Sequence, residues 1–127
     1  MTSATANANP DQLEEYRRSY CQRKEEKQKQ LMALIKEARA VALSAAQLLK
    51  SQFGVSRVMM FGSLTRPLLF HFNSDIDLAV WGLQEKEYYR AVGILQSLHP
   101  KFAVDVVRFE EVSPALQEII LNEGEEL

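Results

Sequence analysis

No glycine or proline interrupts the chain between Asp11 and Phe53, a third of its 127 residues. Those two residue types punctuate local structure most strongly, so the stretch predicts one long helix from about Asp11 to Gln52, entered at Pro10-Asp11 and stopped by Gly54. Its second half carries Leu31, Leu34, Ile35, Ala38, Val41, Ala42, Ala45, Leu48 and Leu49 at the three-and-four spacing of one buried face. Its first half does not. Leu13, Tyr16 and Tyr20 make a thin stripe, and Gln22 to Gln30 holds no apolar residue. Such a segment gains little from burial against its own domain. Residues 11–30 are therefore expected to form an exposed helical extension that projects or packs on another subunit. Residues 1–10 are small and polar and are expected to be disordered. The domain proper is then 31–127.

The residues after Gly54 must supply the rest of the fold in short pieces. Arg57 to Phe61 reads as a strand ended by Gly62-Ser63, and Leu64 to Asn73, broken by Pro67, as a short helical turn and a loop. Asp75 to Trp81 is a second strand, stopped by Gly82. Gln84 to Leu98 is a helix with Tyr88, Ala91, Val92, Leu95 and Leu98 on one side, ended by His99-Pro100. Phe102 to Phe109 is a third strand. Ser113 to Asn122 is a last helix, with Ser113 as N-cap, Pro114 at the first helical position and Gly124 as terminator. This order predicts an α/β (α+β) fold: a small mixed β-sheet with helices packed on one face and a long N-terminal helix.

Three carboxylates fall inside these apolar strands. Side chains alternate along a strand, so Asp75 and Asp77 share a face while Ile76 takes the other. Two acids on one face repel when both are ionised, and a cation between them relieves the repulsion. Asp105 lies within Val104-Asp105-Val106-Val107, where an unpaired acid is costly. If the third strand lies beside the second, the three acids form a hard oxygen site of the kind magnesium prefers. The Gly62-Ser63 turn supplies a complementary part, because a glycine lets backbone approach a ligand and the first N–H groups of a helical turn face an anion. Triphosphate at the turn and metal on the acids then describe one bound nucleotide.

Composition narrows the classes. A net charge of −2 excludes a strongly basic protein, so no direct nucleic-acid binding is expected. No apolar run reaches the roughly 18 residues of a membrane span. Cys21 is the only cysteine, which excludes an internal disulfide or a cysteine-based zinc cluster and fits a reduced thiol in the cytoplasm. Arg17, Arg18, Arg23, Lys24, Lys27 and Lys29 cluster early, and Glu118, Glu123, Glu125 and Glu126 cluster late. Either both are solvated faces, or one meets a partner of opposite charge.

Phe61-Gly62-Ser63, Arg66, Ser74-Asp75-Ile76-Asp77-Leu78-Ala79-Val80 and Val104-Asp105-Val106-Val107 together resemble the signature of the polymerase-beta-like nucleotidyltransferase superfamily, and within it the minimal nucleotidyltransferase group. The resemblance covers roughly residues 30 to 124. It implies nucleotide binding by Gly62, Ser63 and Arg66, magnesium (two ions) on Asp75, Asp77 and Asp105, and Asp105 as general base. Two departures stand beside the turn. The gap from Leu64 to Ser74 is one residue longer than the family's usual spacing, and Arg66-Pro67 replaces the common Arg-Gly. Members of the minimal group often act as antitoxins paired with HEPN-domain toxins, some transferring AMP from ATP to a tyrosine of the toxin. The resemblance implies that role here. The alternatives are transfer to a small molecule and a non-catalytic antitoxin that masks its partner.

Overall fold

The computed structural model describes residues 9–66, 69–71 and 73–127. Residues 1–8, most of the segment expected to be disordered, lie outside it. Helix α1 is continuous over Pro10–Phe53. Asn9 caps it, its Oδ1 accepting the Gln12 N–H at 2.8 Å, with Pro10 in the first turn where its missing donor costs nothing. Chain contacts divide the protein into a unit ending at Ala33 and a unit Leu34–Leu127. In the first, every side chain from Pro10 to Gln30 is exposed, Tyr16 at 66% and Tyr20 at 55% among them, and so is the lone thiol of Cys21. In the second, the apolar stripe of α1 is buried at Leu34, Ile35, Ala38, Val41, Ala42, Ala45, Ala46, Leu49 and Phe53. No helix among the described residues is long and apolar enough to cross a membrane.

The sheet is mixed. Strands β1 (Arg57–Phe61), β2 (Ile76–Trp81), β3 (Val104–Arg108) and β4 (Glu125–Glu126) lie in the order β3-β2-β1-β4. β1 runs antiparallel to β2 and to β4, and β2 runs parallel to β3. Helix α2 (Tyr88–Gln96) makes the crossover from β2 to β3, and α3 (Pro114–Glu123) follows β3. Ser113 caps α3 as predicted, accepting the Leu116 N–H.

Register explains the two faces. Val58, Met60, Ile76, Leu78, Val80, Val104 and Val106 share one face, and each is at most 3% exposed. Helix α1 lies over this face, since Glu125, paired with Met60, reaches Arg39. The opposite face carries the row Met59–Ala79–Val107 and, one step along, the row Phe61–Asp77–Asp105. Ile120 and Leu116 of α3 pack on the apolar row together with Phe61, Trp81, Phe109 and Val112. The expected coverage of one face is thus joined by a smaller cluster on the other, which leaves the aspartate row uncovered.

β4 is absent from the sequence-based reading, because Glu-Glu has low strand propensity. Pairing creates it. Glu125 and Glu126 hydrogen-bond along the open side of β1, and their carboxylates meet Arg39 and Arg57. With the Glu123–Arg66 pair, three of the late glutamates form ion pairs within the chain. Gly124 is needed here for space: its φ is −74°, but an added Cβ would lie 2.4 Å from the Ile120 carbonyl and 3.2 Å from that of Met60. Gly124→Ala is therefore expected to lift β4 off β1 and destabilise the fold by about 2 kcal/mol. The check is a lower urea midpoint at unchanged slope.

Candidate active site

Asp77 and Asp105 are direct register partners on the parallel strands β2 and β3, so their side chains leave the sheet side by side. Asp75 stands just before β2, close enough to Asp105 for its charge to act on that carboxyl. The sequence-predicted trio is therefore brought together at one end of one face. Hydrophobic runs fix this placement: Ile76, Leu78, Val104 and Val106 are 0–3% exposed on the far side, which forces the intervening acids outward.

The trio carries more negative charge than it comfortably holds. The Asp77 carboxyl is pushed up from 3.8 to about 6, first by partial burial, then by Asp105 and Asp75. Asp105 is also raised, by partial desolvation and then by the neighbouring Asp75 carboxyl, although the residue as a whole is exposed. Among the described residues no three acid, histidine or cysteine side chains form a ready-made metal cage. The fit to a divalent cation rests instead on chemistry: oxygen donors of one sign, crowded enough to raise their own proton affinity.

The Gly62-Ser63 turn sits against this trio. Phe61 is the register partner of Asp77, and the chain then turns through a 3-10 helix, Gly62–Thr65, held by Thr65 Oγ1 donating to the Gly62 carbonyl at 2.7 Å. Gly62 has a φ of +77°, and a Cβ there would lie 2.3 Å from Asp77 Oδ2. Glycine is required on both counts: for the left-handed backbone and for the aspartate resting over it. Arg66 closes the turn, its N–H donating to the Ser63 carbonyl at 3.0 Å, but its guanidinium pairs with Glu123 of α3. A phosphate at the turn would share or displace that carboxylate. His71 is a loop histidine, with Nδ1 accepting the Asn73 N–H.

The family description "Polymerase beta, Nucleotidyltransferase" matches residues 44–127, which span β1 to β4 and every residue above. The chain belongs to the polymerase beta nucleotidyltransferase family. Among solved structures, this nucleotidyltransferase is similar to one described as a minimal nucleotidyltransferase (32% identity, 76% of this chain and 95% of the other, TM-score 0.54). It is also similar to a toxin-antitoxin structure with AMP-PNP (26% identity, 64% and 67% covered, TM-score 0.55). The MntA-HepT toxin-antitoxin structure shares the fold at 22% identity, with 69% of each chain covered and a TM-score of 0.53. A search of curated proteins returns no significant match.

Sequence reasoning missed Glu123 as the partner of Arg66. The signal was faint: a glutamate one residue before a glycine that ends a helix. It also missed that the Tyr88 hydroxyl donates to the Val106 carbonyl at 2.8 Å, binding α2 to the strand that carries Asp105.

Proposed function

We propose that this nucleotidyltransferase transfers AMP from ATP to a tyrosine hydroxyl of a HEPN-domain toxin, as the antitoxin of a toxin–antitoxin pair in the cytoplasm. The observation that carries the reading is the convergence of Asp75, Asp77 and Asp105 beside the left-handed Gly62. The toxin-antitoxin structure with AMP-PNP, at 26% identity, supports the nucleotide and the partner class.

In this reading Gly62 and Ser63 hold the phosphates with backbone N–H groups and the Ser63 hydroxyl, and Arg66 adds positive charge. Asp75, Asp77 and Asp105 would hold magnesium, which supplies charge neutralisation for the phosphates and a lower pKa for the attacking hydroxyl. Asp105 takes the phenolic proton, a task for which a raised carboxyl is better suited than an ordinary one. The phenolate oxygen bonds to the α-phosphorus, the bridge to the β-phosphate breaks, and pyrophosphate leaves. Most of the acceleration comes from positioning.

The test is incubation of the full chain with magnesium, ATP labelled in the α-phosphate and the toxin that copurifies with it. The label is expected on a tyrosine of the toxin, with loss of its toxicity. Neutralisation without labelling contradicts AMP transfer and favours masking.

A further inference from the structure

Resting on that reading, we propose that the groove along the free edge of β3 binds the acceptor: a tyrosine flanked by basic residues. The direction of attack is the first argument. In an in-line displacement the entering and leaving oxygens lie on opposite sides of phosphorus. The phosphate-binding turn follows β1, Asp77 is on β2, and Asp105 is on β3, the edge strand. Pyrophosphate therefore leaves on the β1 side, and the acceptor enters across β3.

A groove of about 340 Å³ lies at that edge, lined by Glu85, Tyr88, Tyr89, Val107, Glu111 and Val112. Val107 is two residues beyond Asp105 on the same face of the same strand, about 6.6 Å along it. That distance is close to the reach of a tyrosine side chain from backbone to hydroxyl. A ring lying on Val107 and Val112 thus brings its oxygen to Asp105. The walls suit a ring. Tyr88 and Tyr89 meet edge to face with centroids 5.4 Å apart, Tyr88 is fixed by its bond to Val106, and Tyr89 is 84% exposed with nothing yet covering it.

Charge selects the neighbours of the acceptor. The Arg108 guanidinium, which also borders the groove, is occupied: Nε donates to the Leu83 carbonyl at 2.9 Å and Nη1 to Glu111 at 2.7 Å. Glu85 makes no ion pair among the described residues, so the rim carries one uncompensated negative charge. A segment with arginine or lysine beside its tyrosine complements it, and one with glutamate is repelled.

The test uses two synthetic peptides, one tyrosine flanked by arginines and one tyrosine flanked by glutamates, with magnesium and labelled ATP. Wild type, Glu85→Lys and Tyr89→Ala are compared, and ATP affinity is measured on each by calorimetry. Wild type is expected to label the arginine peptide preferentially. Glu85→Lys should raise its KM about tenfold while improving the glutamate peptide, and Tyr89→Ala should raise the KM for both, with ATP affinity unchanged throughout. Unchanged KM in both variants, or no labelling of either peptide by wild type that binds ATP normally, overturns the groove. Failure to bind ATP at all is a different result, and it removes the underlying nucleotide-transfer reading.

Discussion

Asp77→Asn is expected to lower nucleotide transfer by about a thousandfold or more, and at the same time to make the metal-free protein more stable near pH 7. The two effects have one cause. Asp77 is the most buried of the three acids and feels both of the others. Its folded pKa of about 6 lies above the unfolded value of 3.8, so between these values the native state holds a proton that the unfolded chain has lost. The metal-free fold must then weaken as pH rises from about 4 to about 6 and level off above, because the unfolded state binds fewer protons in that window. The carboxyl is only partly buried, and solvent screening reduces the full value of the shift to about 1 kcal/mol. Asparagine removes that penalty along with the charge that a cation needs. Urea melts in a chelator, at pH 4, 5, 6 and 7, should show the decline in wild type and its near absence in the variant. Parallel curves, or a variant less stable at pH 7, would refute the crowded-acid account.

Gly62→Ala is expected to lower transfer about a hundredfold or more while leaving a folded protein. Alanine at a φ of +77° is strained by about 1 kcal/mol, and its Cβ would lie 2.3 Å from Asp77 Oδ2. The clashing atom is the end of a side chain, so the aspartate swings aside and the strand pairing of Phe61 with Asp77 survives. What is lost is the carboxylate's position, and an ångström of misplacement is costly in phosphoryl transfer. The check compares kcat with circular dichroism and the melting midpoint. A variant with wild-type kcat would show that Asp77 need not rest on the turn.

Much of this was legible in the residues. Alternation along a strand read from Asp75 to Trp81 assigns Asp75 and Asp77 to one face, and although β2 begins only at Ile76, Asp75 still lies beside the other two acids; the apolar run around Asp105 makes its strand equally plain. β1 is observed at the boundaries read from the sequence, Arg57–Phe61. Features that depend on register were not legible. Gly62 meets Asp77 because Phe61 pairs with Asp77, and no local pattern records that pairing. β4 forms from Glu125 and Glu126, poor strand residues, through partners at Arg39 and Arg57 that are distant in sequence. The stripe Leu116 and Ile120 marks a buried side of α3 without saying which face of the sheet receives it.

Calorimetric titration of a non-hydrolysable ATP analogue tests the shared site most directly, with and without magnesium, into wild type and into a chain carrying Asp75→Asn, Asp77→Asn and Asp105→Asn. The account predicts tight binding to wild type only when magnesium is present, and at least a hundredfold loss in the substituted chain despite its reduced negative charge. Equal magnesium-dependent affinity for both chains would contradict it.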